Sequence, residues 1–227
     1  MLSAGCGVGE YQQRINKGVK ELSSSSVYQE MHPATTIGQT LVEVRVPKEF
    51  PEAPLVENPA APDQMRMKPL GVDLPGLSQT FEGTIEDEKG GKIPFYLYLA
   101  AINKKDTPRG GDNMAGSIGT RFRPLFTGGN FTWQRVQAPT PQGAGLQWQH
   151  LRLNANQPFR YVSPDGEVEK VEMPGVLELY YRAEGDWLVT IAWRVPQSIT
   201  GSVELSRWAP LVAGTVKVGK TSGDDPE

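Results

Sequence analysis

Apolar and polar residues alternate along most of the chain between residues 42 and 195. Val42, Val44 and Val46 alternate with Glu43 and Arg45 until Pro47, which predicts a half-buried strand. Phe81, Gly83 and Ile85 alternate with Glu82, Thr84 and Glu86, and Lys89-Gly90-Gly91 supplies a turn. The next run, Ile93 to Ile102, is apolar at nearly every position. A strand without a polar face belongs inside a sheet, covered on both sides. Further strands are predicted over Phe131 to Val136, Leu146 to Leu153, and Phe159 to Val171, the last folded at Ser163-Pro164-Asp165-Gly166. In the Leu146 segment the apolar phase switches between Trp148 and Leu151, which predicts a bulge or a twist. The clearest hairpin follows. Leu177, Leu179 and Tyr181 alternate with Glu178 and Arg182, and Glu184-Gly185-Asp186 turns. Trp187, Val189, Ile191, Trp193 and Val195 then alternate with Leu188, Thr190, Ala192 and Arg194 until Pro196.

Helical spacing appears in three places. Val8, Tyr11, Ile15, Val19 and Leu22 outline a short amphipathic helix before a run of four serines. Ile118, Phe122, Leu125 and Phe126 share one face of a helix over Met114 to Phe126. Leu205, Trp208 and Leu211 do so over Ser202 to Val212, with Ser202 as N-cap and Pro210 expected to kink or shorten the helix. The closing helix is expected to pack on the sheet through Trp208. These elements specify an α+β fold: an antiparallel, twisted β-sheet meander with helices packed on it, including a C-terminal helix.

Composition sharpens this picture. The chain has 227 residues, with 25 Gly and 19 Pro, an excess that suits turns and irregular chain more than a helix bundle. Six prolines between residues 51 and 77 prevent a helix or central strand there, so this segment reads as a surface excursion. The expected organisation is an N-terminal segment over 1–39, one α+β domain over 40–218, and a disordered tail over 219–227. The net charge of −3 lacks the electrostatic footprint of a nucleic-acid binder.

Cys6 is the one cysteine, which rules out an internal disulfide and a cysteine-based zinc site. Its context, Leu2-Ser3-Ala4-Gly5-Cys6-Gly7, resembles the lipobox of bacterial lipoproteins. That resemblance implies cleavage before Cys6, acylation of its thiol, and a lipid-anchored place in the bacterial cell envelope, facing the periplasm or at the outer membrane. A second resemblance rests on the strand ending in VRVPKEF, the meander, the late WLVTIAWRVP strand and the closing helix. Together they are similar to the Mog1/PsbP-like α/β/α fold, which implies a domain that binds partners and lacks an active site.

Candidate chemistry is sparse. No G-x-S-x-G elbow occurs, and the glycine run 110–119 lacks a P-loop lysine. Glu86, Asp87 and Glu88 form an acidic turn that reads as solvated. His32 precedes a proline in a loop. His150 lies on a predicted strand with no second ligand spaced for a metal. The five tryptophans read as core. No catalytic residue, metal or cofactor is therefore expected, and lipid attachment at Cys6 is the single assigned site. The expected partners are the membrane, through the anchor, and a protein of the envelope. The alternative is an envelope hydrolase using carboxylates or His150, which requires His150 within hydrogen-bond reach of an acid in a pocket.

Overall fold

The computed structural model describes residues 26–50, 52–53, 74–107, 114–123 and 131–219. Cys6, the helix expected over 8–22, most of the 51–77 excursion, residues 109–113 of the glycine-rich stretch, and the tail from 220 lie outside the described residues.

Seven strands form one antiparallel sheet. They are β3 (Glu52–Ala53), β4 (Leu77–Glu86), β5 (Lys92–Asn103), β6 (Gln134–Pro139), β7 (Gly145–Val162), β8 (Val168–Glu184) and β9 (Trp187–Pro196), in the order β3-β4-β5-β9-β8-β7-β6. A smaller sheet joins β1 (Thr35–Thr36), β2 (Val42–Val44) and β10 (Lys217–Val218), with β2 in the middle. The helices are α1 (Met114–Phe122) and α2 (Leu205–Gly214). The α+β class and the closing helix are as the pattern predicts.

The large sheet has two apolar faces because its central strands carry no polar face. In β5, Phe95, Leu97 and Leu99 join one buried cluster, while Tyr96, Tyr98 and Ala100 join another. In β9, Val189, Ile191, Trp193 and Val195 point to the first, and Leu188 and Ala192 to the second. The first face is covered by α2 through Leu205, Trp208, Ala209 and Val212, and by Val42 and Val44 of the small sheet. The second is covered by Ile118 and Phe122 of α1. Trp208 is 3% exposed, so α2 docks as the spacing predicts. Burial also reaches ahead of residue 40: Tyr28, Met31 and Ile37 pack into the first cluster, and the Tyr28 hydroxyl donates to the Pro139 carbonyl at 2.8 Å.

Four expectations are corrected. The segments Leu146–Leu153 and Phe159–Val171 are one long hairpin, whose ladder runs in register from Gln149↔Tyr181 to Val162↔Val168. The phase switch therefore marks no bulge; Trp148 faces the α2 side, while Leu151 and Leu153 face the α1 side. The first predicted strand sits in the small sheet, because its partner β10 arrives from the far end of the sequence. The strand expected over Phe131 to Val136 lies over Gln134–Pro139. Finally, α2 starts at Leu205 and Ser202 lies in the preceding turn. Glu204, at φ 50°, is the residue that enters the helix. Burial of Ile199, Val203 and Leu205 outweighs the capping preference of serine. Pro210 lies inside α2 rather than ending it.

One further feature shapes the second face. Beyond its pairing with β6, the hairpin β7–β8 coils until the outer edge of β7 meets β5, at Lys92↔Val162. Strands β5, β9, β8 and β7 thus close on themselves at one end.

Candidate functional site

The register of β7 against β8 sets His150 opposite Tyr180 and Arg152 opposite Glu178. All four side chains meet at one carboxylate. His150 Nε2 lies 3.1 Å from Glu178 Oε1, the Tyr180 hydroxyl donates to the same oxygen at 3.0 Å, and Arg152 donates to Oε2 at 3.3 Å. Glu178 is 4% exposed, whereas the Arg152 side chain is nearly half exposed. The His150 ring leans on the Tyr180 ring, centroids 4.8 Å apart, and Trp148 meets Tyr180 edge to face at 6.2 Å. A buried carboxylate is tolerated only when donors replace its water, and these three do so. Burial first, then the adjacent Glu178 charge, push the Tyr180 phenol well above the ordinary tyrosine range. Chemically the cluster is an acid–histidine pair with a phenol and a guanidinium on the same acid.

A second buried charge lies directly behind the first. Glu178 pairs with Trp193 across the β8–β9 ladder, so Arg194, the next residue, points to the opposite face. Arg194 Nε donates to Gln157 Oε1 at 3.0 Å, and its Nη2 donates to the Pro158 carbonyl. The guanidinium lies 4.6 Å above the Phe159 ring and 5.7 Å from that of Tyr96. Tyr98 also takes a hydrogen bond from it. Burial, followed by the Glu82 charge, pushes the Tyr96 phenol up to about 12, with Arg194 opposing. Burial likewise raises Tyr98, the more deeply covered of the two. Opposite charges thus occupy the two faces of the sheet, one residue apart across the ladder, each stabilised by its own set of partners.

The other residues named from sequence take structural places. His32 is exposed, with its backbone N–H donating to the Val46 carbonyl. Asp87 of the acidic turn accepts from the backbone of Gly91 at 2.8 Å and Lys89 at 2.9 Å, and from the Tyr161 hydroxyl at 3.0 Å. These bonds, the Gly91 one foremost, hold its carboxyl below the usual range. Trp148, Trp193 and Trp208 are core residues, as expected. Among the described residues no three histidine, cysteine, aspartate or glutamate side chains cluster as a metal site would.

Sequence reasoning brings His150 to the right place but misses its acid. Glu178 and Arg194 each sit in a strand whose alternation assigns them to a solvent face. The available signal was the apolar character of β9 on both faces, which leaves an interrupting arginine no solvent to face.

No family model matches the chain, and no curated protein matches it. Among solved structures, it is similar to cyanobacterial PsbP (CyanoP) from Synechocystis sp. PCC 6803. That likeness has 14% identity and a TM-score of 0.40, covering 83% of this chain and 91% of that one. It is also similar to the Ran-binding protein Mog1p of Saccharomyces cerevisiae, at 12% identity and a TM-score of 0.40, covering 82% of this chain and 95% of that one.

Proposed function

We propose that this chain is a lipid-anchored protein of the bacterial cell envelope whose α+β domain binds a partner or ligand without catalysis. The observation that carries the non-catalytic reading is the state of Glu178. Its carboxylate is buried and taken up by three donors, so the acid beside His150 holds two strands together rather than facing a substrate. The anchor rests on Cys6, the one thiol, behind Leu2-Ser3-Ala4-Gly5. Residues 7–25 lie between it and the first packed turn at Tyr28, enough chain to reach at most about 65 Å. Several acyl chains on one cysteine hold a protein firmly at a bilayer, whereas one chain is marginal.

The test is Cys6→Ser in the full-length gene expressed in its bacterial host. The expected result is loss of lipid labelling and release of the protein from the membrane fraction. Membrane association that survives the change overturns the anchor. The 3.1 Å His150–Glu178 distance favours one second reading, hydrolysis with His150 as base. Turnover of chromogenic esters or glycosides that is lost in His150→Gln would support that reading and overturn the non-catalytic one.

A further inference from the structure

We propose that residues 156–174, the coiled end of the β7–β8 hairpin, form a strap that opens and closes as a unit about Ala155 and Gly175, with Arg194 as its latch. Four observations carry this. First, β9 stops at Pro196, which pairs with Gly175. Past that point, among the described residues, the hairpin's one ladder connection to the rest of the sheet is the pair Lys92↔Val162. Second, the strap's two outer edges are blunted where it begins. Asn156 faces Pro174 and Pro158 faces Glu172 in an unbroken ladder, so each proline nitrogen points outward and offers no N–H to a further strand.

Third, apart from Phe159, buried in the second cluster, and Met173 packed against that cluster, the contacts that seat the strap are polar. Arg194 grips it through Gln157, the Pro158 carbonyl and the Phe159 ring. The Tyr161 hydroxyl bonds Asp87 on the β4–β5 turn. Most of residues 164–172 are exposed, and Val168 is the most exposed large apolar residue of the described structure. The seat is also cut for close approach: a Cβ on Gly91 would lie 1.9 Å from the Tyr161 hydroxyl oxygen. A Cβ on Gly175 would lie 2.9 Å from the Phe159 ring and 3.0 Å from Gln157 Nε2. Fourth, closure has a cost. Gln157 Nε2 is buried without a hydrogen-bond partner, and opening returns this donor to water.

A segment whose apolar seat is confined to Phe159 and Met173 and which keeps its own ladder opens below the global unfolding free energy. The closed strap takes up Nε and Nη2 of Arg194 with its own oxygens. When it opens, the guanidinium and the Tyr96 ring are uncovered together, so the strap is a built-in cover for that face.

Hydrogen exchange read by mass spectrometry on the full chain tests this. In the unmodified protein, amides of 157–162 and 168–173 should exchange at least about tenfold faster than those of 177–182 and 188–194. Tyr161→Phe, which removes one seating bond at the surface, should speed the strap by roughly threefold and leave 188–194 unchanged. Arg194→Met should speed it further. A strap that exchanges at the rate of 177–194 in the unmodified protein overturns the proposal. So does a Tyr161→Phe variant in which both regions speed up equally.

Discussion

Glu178 and Arg194 are both buried charges, set on opposite faces of the same pair of strands, yet they depend on different parts of the molecule. The partners of Glu178 come from its own ladder: His150 and Arg152 on the neighbouring strand and Tyr180 two residues on. Once β7 and β8 pair, that cluster is complete. Arg194 reaches Tyr98 on the neighbouring strand β5, but two of its acceptors, Gln157 and Pro158, belong to the coiled end of the hairpin and approach only when the sheet closes on itself. The difference teaches that a buried ion can serve pairing or closure, and that the position of its partners in the ladder decides which. A cluster assembled within one ladder reinforces local order, whereas one assembled across a curl fixes tertiary shape.

The comparison can be broken most forcefully at Arg194. Replacing it with Met keeps much of the apolar stem but leaves the Gln157 and Pro158 oxygens buried without a donor. We expect a loss of about 2–4 kcal/mol in urea unfolding, on the order of 1–2 for each of the two acceptors left without a donor. A loss under about 1 kcal/mol would mean that closure does not depend on the guanidinium.

Alkaline titration sharpens the contrast next. The folded-state pKa of Tyr96 is raised to about 12 from 10.0, so the folded chain favours the neutral phenol. The stability this provides is complete below pH 10 and is lost as pH rises towards 12, a fall of about 2–3 kcal/mol from this group. Tyr180, raised by burial and by Glu178, adds to the fall in the same direction. Tyr96→Phe and Tyr180→Phe should each flatten the decline measured by urea unfolding between pH 9 and 12. A profile unchanged in both variants would contradict the burial of these phenols.

The smallest effect is expected at Glu178. Glu178→Gln keeps the shape and one acceptor oxygen but removes the charge, and Arg152, nearly half exposed, can turn to water. About 1–2 kcal/mol should be lost, the difference between charge-assisted and neutral hydrogen bonds. Exchange in the strap should stay at its original rate. Faster exchange there would show that the two centres are coupled through the sheet.

The hydrophobic pattern made the sheet legible where one local rule was enough. The run from Ile93 to Ile102 announced an inner strand, and the alternation of Leu177 to Val195 about Glu184-Gly185-Asp186 announced a hairpin. The pattern misled where coverage changes along a strand. Trp148 and Leu151 belong to different faces because different elements cover β7 at different points, and alternation alone reads such a change as a bulge or a twist. Long-range partners were likewise beyond it: β2 finds β10 more than 170 residues later. The candidate site was half legible. His150 stood out as one of two histidines, but Glu178 and Arg194 look like ordinary solvent-side residues until the layers on both faces are known.

The coiling of β7 also bears on how the protein behaves in a crowded solution. This strand has 18 residues, and β6 covers its outer edge only from Gly145 to His150. A long bare edge is a template on which another chain can add a strand, the first step towards aggregation. By turning its far end onto β5, the strand shortens the exposed template. What remains carries Arg152, Asn154 and Asn156, polar side chains that discourage edge-to-edge docking. Closure of the sheet is therefore also a form of self-protection. Variants that loosen it should raise light scattering at high protein concentration before they lower the unfolding midpoint.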